Sequence, residues 1–169
     1  MSTILAIDDS VTDLTMIQNM LSFHTILTAE NGEKGLQMLS EHPETDLVLL
    51  DLHMPKMDGF AFLDQFNTLS LEIPVIILTN SEEIEKEILG LEKGAVDYIR
   101  KPLNFRSLQK RIELQLTLKH TTEQIQEHNK QLERLVEKRT EEFRKTTAIT
   151  INALVRLLEI RNVESSDHS

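Results

Sequence analysis

The sequence predicts an α/β fold: a doubly wound, five-stranded parallel sheet followed by a long C-terminal helix that forms a coiled coil. Three observations carry this reading. Five short apolar runs, at residues 3–7, 25–29, 46–51, 74–79 and 97–100, alternate with helical patterns. All five glycines and all four prolines lie before Asn104. Charge divides at the same place: residues 1–104 carry 18 acidic against 6 basic side chains, net −12, whereas residues 105–169 carry 10 against 12, net +2.

Residues 3–7 (Thr-Ile-Leu-Ala-Ile) read as a buried strand ending in Asp8-Asp9. Ser10 then caps a helix, with the acid Asp13 three residues on. Val11, Leu14, Ile17, Met20 and Leu21 form its apolar stripe, to about Phe23. Residues 25–29 are the second strand; Asn31-Gly32 punctuates, 35–39 is helical, and His42-Pro43 breaks it. Residues 46–51 (Asp-Leu-Val-Leu-Leu-Asp) are a strand with an apolar interior bounded by carboxylates. The turn at 54–59 (Met-Pro-Lys-Met-Asp-Gly) leads into a helix at 60–69. Residues 74–79 are the fourth strand, and the helix at 81–93 stops at Gly94. The fifth strand, 97–100, is followed by Lys101-Pro102, and the last helix begins near Asn104.

Composition excludes several classes of function. Hydrophobic residues make up 40% of the chain, enough for a core. Aromatics make up 4%, with no Trp, and the net charge is −10, so stacking on or clamping of nucleic acid is not expected. With no Cys there is no disulfide, thiolate metal site or thiol nucleophile. No apolar run approaches the roughly 18 residues of a membrane span, and the N-terminus is no signal peptide. The expected location is cytoplasmic.

In open parallel sheets, ligands bind outside the carboxyl ends of the strands. The residues predicted there are Asp8 and Asp9, Asp51, Thr79 and Lys101. Carboxylates brought together repel unless a cation binds them, and one lysine offsets a single charge. Oxygen ligands without thiols favour Mg²⁺ or Mn²⁺. Asp51 is then a candidate nucleophile, since carboxylates form aspartyl phosphates. The metal and Lys101 would offset charge on the phosphoryl oxygens. A strand-end Asp taken singly is most often a turn residue; the set, in this order, is specific.

With these residues the sequence resembles the receiver domain of two-component response regulators, from Thr3 to about Leu118. The motifs are Ile-Asp-Asp-Ser at 7–10, Leu-Asp-Leu-His-Met-Pro-Lys-Met-Asp-Gly at 50–59, Leu-Thr at 78–79 and Tyr-Ile-Arg-Lys-Pro at 98–102. The resemblance implies a flavodoxin-like fold, with Asp51 accepting a phosphoryl group from a sensor histidine kinase. It implies Mg²⁺ held by Asp8, Asp9, Asp51 and the backbone carbonyl of His53. Lys101 would contact the phosphoryl group, Thr79 would swing toward it, and Tyr98 would turn inward in concert. It also implies a cis Lys101–Pro102 bond. Asn80 departs from the family, which has Ala or Gly there; its bulk bears on phosphorylation and dephosphorylation rates.

From Asn104 to about Ile160 nothing breaks a helix. Phe105, Leu108, Ile112 and Leu116 are the stripe expected to pack on the sheet. Heptads follow, with Leu118, Ile125, Leu132 and Arg139 at d and Thr122, Asn129, Val136 and Phe143 at a. Asn129 specifies a two-stranded register, although Thr122, Arg139 and Thr146 are poor seam residues. A homodimer through the helix 104–147 is therefore expected. Residues 148–160 are apolar on nearly all sides and lack a burying partner. Residues 158–169 resemble the opening of HD-GYP domains, which hydrolyse cyclic di-GMP at a metal centre. Asn162 and Val163 replace the usual Asp and Pro, while Glu164 and His168 match positions that ligate metal in some members. The HD pair and the GYP motif are missing, so this chain is not expected to be an enzyme.

The chain is thus read as three parts: a receiver at 1–118, a coiled-coil signalling helix at 119–147, and the truncated start of an HD-GYP-like output domain at 148–169. The rival readings are a phosphorylation-silent dimerisation adaptor and a phosphatase. The phosphatase would need an acid/base Asp where His53 stands.

Overall fold

The computed structural model describes residues 1–80 and 84–166, with side chains described as far as Glu159. The start of the predicted helix at Ser81 and the residues Glu164 and His168 lie outside the described side chains. The elements run β1 (Thr3–Ile7), α1 (Val11–Met20), β2 (Thr25–Ala29), α2 (Gly32–Glu41), β3 (Thr45–Asp51), α3 (Gly59–Thr68), β4 (Val75–Thr79), α4 (Ile84–Glu92), β5 (Asp97–Arg100) and α5 (Phe105–Ser166). The five strands form one sheet in the order β2-β1-β3-β4-β5. Every pairing is parallel.

Period-two alternation divides each strand between two cores. Leu5, Ile7, Val48, Leu50 and Ile77 face one side and pack with Phe62, Leu63 and Phe66 of α3. Ile4, Ala6, Leu47, Leu49, Ile76 and Leu78 face the other. There they meet Ile17 of α1 and Leu108, Ile112 and Leu116 of α5. Of the stripe predicted on the last helix, Leu108, Ile112 and Leu116 are buried, whereas Phe105 at its first turn is exposed. Burial on both faces explains why these strands read as continuous apolar runs.

Side chains satisfy the first helical N–H groups. Ser10 accepts from the Asp13 N–H at 3.2 Å, Asn31 from Lys34 at 3.0 Å and Asp58 from Ala61 at 2.8 Å. Asn31-Gly32, read as turn punctuation, is in fact the start of α2, three residues before the predicted one. α1 ends at Met20 rather than near Phe23. The Lys101–Pro102 peptide is cis.

The chain divides into two compact units, Met1–Thr121 and Thr122–Ser169. In the first unit, Lys119 Nζ lies 3.1 Å from Asp46 Oδ1, and Asp46 Oδ2 accepts from the Thr3 N–H at 2.9 Å. These bonds fasten α5 to the amino ends of β1 and β3. The described part of the second unit is helical as far as Ser166, without a break at 147. Its apolar residues Ile125, Leu132, Leu135, Val136 and Phe143 are exposed on the single chain.

Candidate functional site

The order β2-β1-β3 reverses the winding at β1, which opens a crevice at the carboxyl ends of β1 and β3. Asp8 follows β1 directly, and Asp51 is the last residue of β3. Asp8, Asp9 and Asp51 each offer an oxygen, and these oxygens lie within 4.8 Å of one another. Asp8 and Asp51 are buried, and Asp9 is exposed. Lys101, one residue past β5, reaches into the same space. Its Nζ lies 2.7 Å from Asp8 Oδ2, 2.7 Å from Asp13 Oδ2 and 3.2 Å from Asp51 Oδ1.

Asp51 Oδ2 accepts from the His53 N–H at 2.8 Å. Its Oδ1 is buried and receives no hydrogen bond among the described residues, although the Lys101 ammonium sits beside it as an ion pair. Burial holds the Asp51 pKa above the ordinary carboxylate value, and neighbouring Asp8 adds to this. Lys101 and the His53 N–H pull the other way without cancelling it. Burial also disfavours charge on Lys101, but hydrogen bonds to Asp13 and Asp8 and the field of Asp51 outweigh it, so its pKa is raised. The site is therefore a charged lysine among carboxylates that repel one another. Three converging carboxylates faced by a single ammonium fit a hard divalent cation.

Thr79 ends β4 and is buried. In the β3–β4 register Asp51 faces Leu78, so Thr79 stands one step beyond it at the same sheet edge. The Thr79 carbonyl accepts from the Lys101 N–H at 2.8 Å, joining the two strand ends. Asn80 is exposed. His53 is exposed as well, and its N–H bond to Asp51 was not foreseen. Tyr98 is half-buried against the core that contains Phe62.

Sequence reasoning missed two side chains. Asp13 was read as a helix-start acid, yet its carboxylate joins Lys101. Glu87 lies in a charged helix and is only 4% exposed. Its carboxylate takes Arg100 Nε at 2.6 Å and Nη2 at 3.1 Å. The Arg100 hydrogen bonds hold its carboxyl below the usual range, against the effect of burial. A carboxylate with a lowered folded-state pKa stabilises above its unfolded pKa and loses that contribution as pH falls. Glu87→Gln is therefore expected to lower Tm at pH 7, with the gap from wild type closing as pH drops below about 4. Thermal unfolding across pH checks this; a gap that stays constant into acid contradicts it.

Comparison with known proteins agrees with this geometry. The response regulator receiver domain family matches residues 4–113. The chain belongs to that family, the phosphorylation-dependent module of two-component signalling. Receiver domains bind Mg²⁺ at an acidic pocket and take phosphoryl groups from histidine kinases or phosphotransfer partners. A probable cyclic di-GMP phosphodiesterase of Vibrio cholerae is 36% identical over 169 residues, covering 98% of this chain. This chain spans only 38% of that protein's length. The receiver domain structure from Clostridium thermocellum superposes with a TM-score of 0.68 at 31% identity, covering 72% of this chain and 99% of that one. The CheX–CheY–BeF3–Mg²⁺ complex from Borrelia burgdorferi gives 0.63 at 30% identity, covering 66% and 86%. Among the described residues, no helix is long and apolar enough to cross a membrane.

Proposed function

We propose that this chain is a cytoplasmic receiver in which Asp51 accepts a phosphoryl group from a sensor histidine kinase. The observation that carries this is the meeting of buried Asp51 with Asp8, Asp9 and Lys101 at the carboxyl ends of three strands. An Asp51 oxygen forms the new P–O bond, the P–N bond of the phosphohistidine breaks, and the departing imidazole takes up a proton. Asp8, Asp9, Asp51 and the backbone carbonyl of His53 would hold Mg²⁺, which supplies positive charge to the transferring phosphoryl oxygens. Lys101 stabilises the same oxygens from the β5 side. The Thr79 hydroxyl donates to the finished phosphoryl group, and Tyr98 turns into the space it leaves. Borohydride reduction of the acyl phosphate followed by peptide mapping tests this. The reading expects a homoserine at position 51; a label elsewhere contradicts it.

Residues 1–118 act as the receiver and 119–147 as a signalling helix that pairs with a second copy. The exposed seam of Ile125, Leu132, Val136 and Phe143, with Asn129 between them, supports a two-stranded parallel coiled coil. Residues 148–169 lead into an HD-GYP-like output domain that hydrolyses cyclic di-GMP. The similarity to the Vibrio phosphodiesterase along 98% of the chain supports this. Residues 1–169 contain no HD pair or GYP motif, so the hydrolysis is assigned to the output domain, and direct nucleic-acid binding by the receiver and helix is not expected. Because the chain has no Cys, engineered cysteines report pairing without background. Ile125→Cys is expected to cross-link efficiently and Glu127→Cys, on the outer face, poorly. The 118–143 pattern should change on phosphorylation; equal cross-linking at both positions contradicts the seam.

A further inference from the structure

Asp13 stands in the sequence where an acid closes the start of a helix. In a capping box the side chain at this position reaches back to the N–H of the cap residue. Here the Ser10 N–H is already taken by Asp8 Oδ1 at 2.9 Å. Ser10 still caps α1, accepting from the Asp13 N–H. The Asp13 carboxylate is therefore released from capping, and its Oδ2 lies 2.7 Å from Lys101 Nζ across 88 residues of chain. Local helix chemistry does not account for that contact.

We propose that Asp13 is a positioning residue for phosphoryl transfer: it anchors the Lys101 ammonium beside Asp51 when the acidic triad is loaded with a divalent cation. This rests on the receiver reading above. Lys101 is held by Asp8, Asp13 and Asp51. Asp8 and Asp51 belong to the triad whose oxygens converge, and Asp13 does not. Loading the triad sets a double positive charge against the ammonium and draws on the charge of Asp8 and Asp51. Two of the three anchors then weaken together, and Asp13 keeps its hold. The Lys101 side chain is 9% exposed, so a detached ammonium has no solvated alternative nearby. An ammonium carries three donors. One kept on Asp13 leaves two for phosphoryl oxygens. A lysine on a flexible four-carbon stem needs such a tether, because it has no fixed fork geometry of its own.

The test uses the full chain, acetyl phosphate as donor, and Mg²⁺ affinity measured separately by calorimetry. In this reaction an Asp51 oxygen bonds to phosphorus, the donor P–O bond breaks, and acetate leaves, with no net proton transfer. At saturating Mg²⁺, Asp13→Asn is expected to slow adduct formation about tenfold, with Mg²⁺ Kd moved by less than about threefold. Asp13→Glu should recover part of the rate. In a Lys101→Ala background, Asp13→Asn should change the rate less than about twofold, because both act through one group. A wild-type rate in Asp13→Asn overturns the proposal, as does a loss that persists without Lys101. A loss confined to Mg²⁺ affinity makes Asp13 a metal ligand and overturns it too. These failures leave a wild-type adduct intact, whereas the absence of any wild-type adduct overturns the receiver reading along with the proposal.

Discussion

Replacing Asp51 with asparagine is expected to abolish phosphoryl uptake while raising the melting temperature of the metal-free chain. The first effect exceeds about a thousandfold, because a neutral amide supplies no carboxylate nucleophile. The second follows from the ground state. Burial and the neighbouring Asp8 disfavour charge on Asp51 by more than Lys101, 3.2 Å from its Oδ1, and the His53 N–H favour it. Removing one carboxylate from the cluster relieves repulsion, while Lys101 keeps Asp8 and Asp13. The gain is on the order of 1 kcal/mol, roughly 3–6 °C for a domain of this size. Calorimetry in EDTA and then in Mg²⁺ measures it. The advantage should shrink in Mg²⁺, because the wild-type triad gains more from binding the ion. A variant less stable than wild type in EDTA contradicts this electrostatic account.

Gly59→Ala is expected to damage fold and site together. A Cβ on Gly59 would sit 2.5 Å from the carbonyl oxygen of Asp51 and 2.8 Å from the Leu52 Cα. Both are backbone atoms, so α3 must move away from the end of β3. Overpacking of this kind costs about 2–3 kcal/mol. It also moves the peptide of Asp51, the proposed phosphoacceptor, and is expected to slow adduct formation at least tenfold. Gly90→Ala is the control. Its Cβ would meet Ile77 Cδ1 at 2.3 Å, the tip of a side chain that can change rotamer. Urea unfolding of both variants, with adduct rates, tests the comparison. Equal losses at the two glycines contradict the claim that Gly59 sets the site.

The sheet was legible because each strand is a short apolar run bounded by polar residues. The strands at 3–7, 25–29 and 97–100 match the predicted limits, and β3 and β4 differ by one residue. The strand-end residues Asp8, Asp51, Thr79 and Lys101 followed from the same reading. What was missed depends on pairing across the fold. Asn31-Gly32 suits a turn or a helix cap equally, and only the Lys34 N–H decides for the cap. Glu87 looks solvated in a charged helix until Arg100 of β5 takes its carboxylate through two nitrogens. Asp13 looks like a helix-start acid until Lys101, brought round by the fold, claims it. Periodicity reports which face is buried, and it carries no information about which charge a buried charge meets.

The acidic triad as a metal site and Asp51 as the residue phosphorylated there are tested together in one experiment. The most direct measurement is the intact mass of the full chain during incubation with acetyl phosphate as Mg²⁺ is titrated from zero. One phosphoryl adduct is expected, its formation rate rising and saturating with Mg²⁺, with no adduct in EDTA or in Asp51→Asn. An adduct that forms equally without Mg²⁺, persists in Asp51→Asn, or never forms on the wild-type chain would contradict it.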